Sequence, residues 1–198
     1  SYFPNSDIDV VSDGIDFAGR RVWKMSLGNT LSEADIFENC REQNYILLGW
    51  GEDVDFVGCN DRNAVFDKCK VEGLADKLTD YVVSSVNLFV NAMSVGDLVV
   101  ISDGNRKFRG IAEINGDYHL LPAQERDQYR QCRPVKWLKV YEPSRPREEL
   151  FKRAISQMTL YELRPTTLDM NKLARLLAPS AEAQSSNDAY VLIIDEIN

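Results

Sequence analysis

The last residues of the chain combine an apolar run with two carboxylates. The stretch YVLIIDEIN, residues 190–198, is a run of β-forming side chains that ends in Asp195 and Glu196. A buried strand with acidic residues at its end is typical of a site that holds Mg²⁺ and positions water for nucleotide hydrolysis. Such a site also needs a phosphate-binding loop, and residues 1–198 contain no G-x-x-x-x-G-K-[ST] motif. The sequence therefore carries half of a hydrolysis motif.

Other side chains that commonly do chemistry are sparse. His119 is the one histidine, and no two cysteines form a C-x-x-C pair, so the sequence predicts no metal site. No G-x-S-x-G elbow is present either, which disfavours a self-contained hydrolase. With no secretion signal in these residues, we expect reduced cysteines that pack in the core. They are Cys40, Cys59, Cys69 and Cys132.

Charge is distributed unevenly along the chain. The formal net charge of −8 argues against strong non-specific binding to nucleic acid. Residues 130–153 nevertheless carry eight basic and three acidic side chains, and residues 105–109 form a second basic stretch. A solvated surface explains either stretch alone equally well, whereas together they allow a local surface that faces phosphates. The candidate phosphate contacts are Arg106, Lys107, Arg109, Arg133, Lys136 and Lys139.

Composition is that of an ordinary globular protein, with 44% hydrophobic and 27% charged residues. No apolar run reaches the roughly 18 residues that a membrane-spanning helix needs. We therefore expect no membrane association and a cytoplasmic location.

Strands and helices alternate in the first two thirds of the chain. Hydrophobic periodicity and turn residues predict strands over residues 22–27, 45–49, 95–102, 108–116 and 133–142. The second and third of these are separated by a helical pattern over residues 74–93, and another helix is predicted over residues 30–44. Residues 52–69 have a mixed pattern and are predicted to be irregular in their first part.

A proline-rich stretch, residues 143–149, marks a boundary in the chain. Two helices are predicted beyond it, over residues 149–163 and 166–178. The domain organisation is therefore a lead-in (1–20), a folded body (21–143), a helical extension (144–180), and a linker with a final strand (181–198). The fold class is α+β, with a small curled sheet or β-barrel, flanking helices and a C-terminal helical segment.

The body resembles the EVE and YTH domains of the PUA-like barrel group. VWKMSLG, LSEADIFENCREQN and YILLGW are similar to the start of a YTH domain, where a strand, a turn and a helix lead to a cage tryptophan. MSVGDLVVISDGNRKFRGIAEI is similar to the EVE segment in which M-x-V-G-D precedes a strand, a turn and G-I-A. RPVKWLKV is similar to the late strand whose tryptophan closes the cage.

This resemblance implies a cage that holds a methylated base flipped out of the stack. By motif position its walls would be Trp50 and Trp137, with Trp23 as a third candidate. Asp53 and Asp55 follow Trp50 closely, and either carboxylate could accept a hydrogen bond from an exocyclic N–H of the base. Aromatic stacking, worth roughly 1–3 kcal/mol per base, would offset the few kcal/mol that flipping costs.

The final stretch resembles the Walker B strand of the AAA+ GTPases of methylcytosine restriction, the McrB type. The resemblance implies that Asp195 supports Mg²⁺ and Glu196 positions the attacking water in a longer protein. That protein would use GTP or ATP with Mg²⁺, form oligomers and recruit an McrC-like nuclease subunit in a prokaryotic cytoplasm. Residues 1–198 alone would need no cofactor and catalyse nothing.

The missing phosphate loop precedes Walker B in that family, so the body would be inserted between the two motifs. An inserted domain must begin and end at nearby points. We therefore expect residue 20 and residues 142–146 to lie close together.

The sequence thus favours the DNA-binding specificity domain of a modification-dependent restriction system. Its partner would be DNA carrying a methylated base, which is methyladenine by the EVE/YTH likeness and methylcytosine by the likeness to the motor family. The alternative is a PUA-like module that binds RNA or a small ligand.

Overall fold

The computed structural model describes residues 16–28, 33–126 and 128–179, which form an α+β fold around one curled sheet. Its strands are β1 (Val22–Ser26), β2 (Tyr45–Leu48), β3 (Leu98–Asp103), β4 (Lys107–Ile114), β5 (His119–Leu120), β6 (Gln131–Pro146) and β7 (Leu160–Leu163). Its helices are α1 (Ala34–Gln43), α2 (Arg62–Val71), α3 (Tyr81–Asn87) and α4 (Met170–Leu177), with a π-helical turn at Leu88–Ala92. The predicted α+β class with a curled sheet is confirmed.

The sheet has the strand order β2-β6-β4-β3-β1-β7, and β5 also pairs with β6. Only the β1–β3 pair is parallel among the described strand pairs. The long strand β6 borders both β2 and β4, and its register against β4 shifts twice. Such irregularities bend a sheet, which lets one strand belong to both halves of the curl.

The sheet separates two hydrophobic cores. In β1, side chains alternate between its faces, so Trp23 and Met25 enter the first core and Val22 enters the second. Helices α1, α2 and α3 contribute to the first core. The second core is covered by the segment after β6, including Phe151 and Leu173.

The helix predicted over residues 149–163 does not form. Residues 150–159 contain no helix or extended strand, and Leu160–Leu163 form β7, which pairs antiparallel with β1. The apolar spacing of this segment suits a helix, but pairing with β1 satisfies the backbone groups at that edge of the sheet. The helix predicted over residues 166–178 is confirmed as α4, whose N-terminus is capped by Asp169.

One helix, α2, lies in the later part of the segment with the mixed pattern, for which the sequence predicted no element. The side chain of Asp61 accepts a hydrogen bond from Ala64 N at 2.8 Å, and α2 begins at the next residue, Arg62. An Asp directly before the first turn of a helix is a helix-start signal, because its carboxylate can accept a hydrogen bond from a backbone N–H of that turn. In this segment the signal outweighs the weak periodicity, because only Val65 and Cys69 of α2 are fully buried.

The body does not end near its start at the predicted boundary. Val22 is level with one end of β4 and Pro146 with the other, about 20 Å apart along a strand of this length. The chain then returns, and Leu163 of β7 pairs with Val22. Residue 20 and residues 142–146 are thus at opposite ends of the sheet, and the nearby points are residues 22 and 163.

Candidate functional site

A small cavity opens where β1 and β2 end. It is lined by Ser26, Gly28, Gly49, Trp50, Tyr129 and Thr159, has a volume of about 190 Å³, and is called the Trp50 cavity below. Ser26 is the last residue of β1, and Gly49 and Trp50 directly follow β2. The curl of the sheet brings the ends of these two strands together, although β6, β4 and β3 separate them in strand order.

Trp50 is 38% exposed and held in a defined orientation. Its Nε1 donates to Thr159 Oγ1 at 3.2 Å, and its ring meets the ring of Tyr81 edge-on at 5.3 Å. Tyr81 Oη in turn accepts a hydrogen bond from Thr159 N at 2.8 Å. An indole fixed by neighbours yet reachable from solvent is suited to stack on a planar ligand.

Tyr129 is the second aromatic residue of the cavity, and the sequence analysis missed it. Its Oη donates to Glu33 Oε1 at 2.9 Å, and its backbone has a φ of 55°. Burial, followed by the hydrogen bond and the charge of Glu33, raises the pKa of Tyr129 to about 12. An aromatic side chain in the polar loop DQYRQ was the available signal.

Gly49 allows Tyr129 to lie beside Trp50. A Cβ at Gly49 would come within 2.5 Å of Tyr129 Cε1, so no other residue fits there unless the ring moves. The G-W-G run after β2 therefore sets the spacing between the two aromatic residues.

The predicted carboxylates lie outside the Trp50 cavity. Asp53 lines an adjoining cavity of about 360 Å³, with Gly49, Glu52, Gln128 and Tyr129, and it pairs with Arg130 at 3.3 Å. Asp55 Oδ1 accepts a hydrogen bond from Val57 N and shapes a local turn. Of the two, Asp53 is nearer the aromatic pair, because its cavity shares Gly49 and Tyr129 with the Trp50 cavity.

Neither Trp137 nor Trp23 lines the Trp50 cavity. Trp137 is half-buried against Phe37 at 5.7 Å and donates to the Cys40 carbonyl, and Trp23 is 1% exposed and donates to Asp97 Oδ2 at 2.8 Å. The strand register places both in one row across the sheet, on the side of the first core. The structure does not bring either tryptophan together with Trp50.

Two of the six predicted phosphate contacts are buried. Arg133 donates to the carbonyls of Phe89, Val90 and Gly116, and Arg109 donates to the Leu27 carbonyl and lies over the Phe37 ring at 4.2 Å. Burial lowers the pKa of both guanidinium groups. Both hold backbone segments, and Arg109 also lines a cavity with Arg41 and Lys107.

The exposed cations of the prediction lie at two ends of the sheet. Arg106 and Lys107 are at the β3–β4 turn, next to the strand end that carries Ser26. Lys136 is at the other end, opposite Glu113, and Lys139 is half-buried between them. The turn residues share an end of the sheet with Ser26, whereas Lys136 is nearer the part of β6 that pairs with β2, the strand before Trp50.

The buried cation nearest the cavity is Lys24, which is 1% exposed. Its Nζ donates to Ser26 Oγ at 2.7 Å and to the Met158 carbonyl, and lies over the ring of Tyr161. Burial lowers the pKa of Lys24 to about 8.

Residues 23–164 match the family model described as a domain of unknown function, DUF8426. The chain belongs to this family. The limits of the DUF8426 match fall beside the β1–β7 pair, in which Trp23 is opposite Glu162. The DUF8426 unit thus begins and ends on neighbouring strands, and it contains the whole Trp50 cavity. No curated protein matches the chain.

Other predicted features fall outside the described residues or are absent from them. Asp195 and Glu196 lie in the part of the chain, 180–198, that the structure does not describe. Within the described ranges, no cluster of three or more His, Cys, Asp or Glu side chains could hold a metal ion. No helix in those ranges is long and apolar enough to cross a membrane. All four cysteines are free and buried.

Proposed function

We propose that this DUF8426 domain is a modified-base reader of the EVE/YTH type, and that a methylated base flipped out of DNA enters the Trp50 cavity. The observation that carries the proposal is the pairing of a solvent-reachable Trp50 with Tyr129 in one small cavity. The domain binds and does not catalyse.

The size of the cavity favours one flat ring system over a whole nucleotide. Its volume of about 190 Å³ is below the roughly 300 Å³ at which pockets begin to hold drug-sized ligands. Stacking on an aromatic side chain is worth roughly 1–3 kcal/mol per base, which is comparable with the few kcal/mol that flipping costs. A methyl group buried against the indole adds about 0.8 kcal/mol, enough to favour the methylated form.

The order of elements supports the EVE/YTH assignment within the PUA-like group. β1, α1 and β2 lead to Trp50, and the V-G-D…G-I-A segment forms the β3–β4 hairpin. In this proposal Tyr129 takes the role that the sequence resemblance gave to Trp137.

The larger machine remains a proposal on sequence alone. Asp195 and Glu196 support an McrB-type motor that would use GTP or ATP with Mg²⁺ and an McrC-like nuclease subunit. Insertion of the reader into that motor is supported by the pairing of Val22 with Leu163, which places the two connections side by side.

The proposal is tested by comparing the affinity of the chain for methylated duplex DNA, unmethylated duplex DNA and RNA of the same sequence. We expect methylated DNA to bind most tightly. If the cavity reads only the methyl group, DNA with N6-methyladenine and DNA with 5-methylcytosine should both bind more tightly than unmethylated DNA. If it also reads the ring, only one of them should. Equal affinity for all nucleic acids would contradict the proposal.

Variants assign the binding to the cavity. Trp50→Ala should weaken binding of methylated DNA by roughly 5- to 150-fold, which corresponds to the loss of one stacked base. Tyr129→Phe keeps the ring and should bind nearly as the wild type does, whereas Tyr129→Ala should not. Trp23→Phe is the matched control, because it changes a buried tryptophan outside the cavity.

A second candidate function is a PUA-like module for RNA or a small ligand. The small-ligand form of this function is favoured by the burial of Arg109 and Arg133, and by Glu52 and Asp53 in the adjoining cavity, because both features weaken attraction to the phosphate backbone of any nucleic acid. Tighter binding of RNA than of methylated DNA, abolished by Trp50→Ala, would establish this function instead.

A further inference from the structure

A row of polar side chains runs from the interior to the wall of the Trp50 cavity. Lys24 Nζ donates to Ser26 Oγ at 2.7 Å, and Ser26 Oγ lies 3.1 Å from Ser102 Oγ. Lys24 and Ser102 are buried, whereas Ser26 is partly exposed and lines the cavity. The row therefore ends at a hydroxyl that a bound ligand can reach.

The protonation state of Lys24 decides what that hydroxyl can do. An ammonium group has three donors and no acceptor, so the oxygen of Ser26 must accept from it. The Ser26 proton is then left to point either at Ser102 Oγ or into the cavity. Ser102 does not need the Ser26 proton, because its own hydroxyl can donate to Ser26 Oγ or to the Met25 carbonyl, 3.5 Å away. The Ser26 proton is then free to point into the cavity.

We propose that Lys24 and Ser26 make one wall of the Trp50 cavity a hydrogen-bond donor, which selects heterocycles that present a ring nitrogen or carbonyl oxygen to Ser26. This inference rests on the proposed function and adds the edge by which the ring is read. Lys24 is a positioning residue that acts through Ser26. A ring that presents N–H at this edge would have to use the second lone pair of Ser26 Oγ, and the positive charge of Lys24 behind that oxygen disfavours a further donor.

The surroundings of Lys24 leave its charge uncompensated. Tyr161 of β7 lies 5.6 Å from its Nζ, Ser26 of β1 and the Met158 carbonyl accept from it, and Ser102 of β3 lies beyond Ser26. No carboxylate of the described residues forms an ion pair with it. A positive charge behind the hydroxyl favours electron-rich atoms in front of it.

Selectivity should also depend on pH. Lys24 loses its proton near pH 8 and then has a lone pair that can accept the Ser26 proton. The preference for an acceptor atom should therefore be full well below this pH and decline as the pH rises through it.

The experiment uses the full chain and short single-stranded oligodeoxynucleotides that carry one N6-methyladenine or one 5-methylcytosine. Affinity is measured for whichever binds more tightly, and for analogues that each lack one acceptor: deaza analogues, in which C–H replaces one ring nitrogen, and, for 5-methylcytosine, an analogue without the carbonyl oxygen. We expect one analogue to bind about 3- to 10-fold more weakly than its parent, the effect of one hydrogen bond. Ser26→Ala should bind the parent and that analogue equally.

Two variants separate positioning from a merely structural role. Lys24→Met should bind with reduced discrimination that no longer changes with pH. Ser102→Ala removes the competing acceptor of the Ser26 proton, so its discrimination should equal or exceed that of the wild type.

The outcomes distinguish the two proposals. If all of these analogues, including the one without the carbonyl oxygen, bind as tightly as their parent, or if Ser26→Ala still discriminates, the inference is wrong while the proposed function stands. If neither methylated oligonucleotide binds, or if Trp50→Ala does not weaken its binding, the proposed function is wrong, and the inference falls with it.

Discussion

At the scale of single residues, the three tryptophans differ in their neighbours and not in their sequence signals. Trp23 and Trp137 each donate their indole N–H within the body of the domain, to Asp97 and to the Cys40 carbonyl. Trp50 donates to Thr159 at the cavity wall and remains 38% exposed. Stacking on a ligand requires an accessible ring, so only Trp50 of the three has the environment of a cage wall.

Lys24 gives a prediction about stability and pH. The folded protein releases the Lys24 proton at about pH 8, but an ordinary lysine, as in the unfolded chain, holds it to about 10.5. Protonated Lys24 therefore opposes folding below about pH 8, and this cost fades as the pH rises from 8 towards 10.5. Lys24→Met removes the charge at similar length, so at about pH 7 the variant should be more stable than the wild type by roughly 2–3 kcal/mol.

The measurement is urea unfolding of the two proteins at about pH 7 and about pH 10. The difference in the free energy of unfolding should shrink at the higher pH. Comparison at equal pH is needed because burial raises the pKa values of Cys40 and Cys132 to about 12, which costs both proteins stability in alkaline solution. A difference that stayed constant with pH would show that Lys24 keeps an ordinary pKa.

At the scale of elements, the β3–β4 hairpin joins the cavity end of the sheet to two exposed cations. Ser102 pairs with Ser26 on one side, and the turn beyond it carries Arg106 and Lys107. We expect a phosphate next to a base in the Trp50 cavity to meet this turn, because the turn lies at the Ser26 end of the sheet. Lys136 is separated from it by most of the length of β4.

This placement predicts a difference in salt dependence. Replacing Arg106 and Lys107 with Ala should weaken DNA binding and reduce the slope of log K against log salt by about 1 to 2, because each phosphate contact contributes about 0.9. Lys136→Ala, an equally exposed cation at the far end, should leave the slope unchanged. The measurement is a series of affinities at increasing salt, and an equal effect of both changes would place the phosphates elsewhere.

The segment after β6 is a second element whose role is testable. It covers Val22, Leu98 and Phe108 of the sheet with residues that include Phe151 and Leu173. Each such buried side chain contributes roughly 1.5–3 kcal/mol to stability. Removing the whole segment would therefore cost more free energy than the 5–15 kcal/mol by which domains are usually stable.

We therefore expect a fragment that ends at residue 148 to be insoluble or unfolded, while one that ends at residue 179 keeps the thermal transition of the full chain. Circular dichroism with heating distinguishes them. A cooperative transition in the shorter fragment would show that the first core is stable alone.

At the scale of the whole molecule, the DUF8426 unit is tied together at its two limits. Val22 and Leu163 are partners in an antiparallel pair, in which Cα atoms are about 4.5–5.5 Å apart. A unit with adjacent ends can be inserted into a loop of another domain without separating the parts of its host. The boundary expected at residues 142–146 does not have this property, because the chain has still to cross the second core.

A cross-link tests the arrangement of the two limits. Val22→Cys combined with Leu163→Cys should form a disulfide, since the expected Cα separation is within the usual range of about 4.4–6.8 Å. The bond closes a long loop and should stabilise the fold by up to about 4–5 kcal/mol. Val22→Cys with Pro146→Cys is the control, and it should stay reduced. The disulfide is detected on a non-reducing gel. If the Val22–Pro146 pair formed it and the Val22–Leu163 pair did not, the domain boundary would lie at residues 142–146.

The sequence by itself determined most of the local elements. Alternation and turn residues placed β1, the β3–β4 hairpin and β6, and the helical period placed α1 and α4, because these patterns depend on near neighbours. Composition also pointed correctly to buried, unpaired cysteines. Trp50 was proposed from its motif position in the resemblance to a YTH domain, as was Trp137.

Only the tertiary structure decided which residues meet. Tyr129 reaches Trp50, and Lys24 supports Ser26, because the curl of the sheet joins the ends of strands that are far apart in the chain. The register across β1, β3, β4 and β6 places Trp23 and Trp137 in one row that faces the first core. Leu160–Leu163 form a strand because the edge of β1 offers them a partner. Long-range pairing and burial are properties of the assembled sheet, and local periodicity does not encode them.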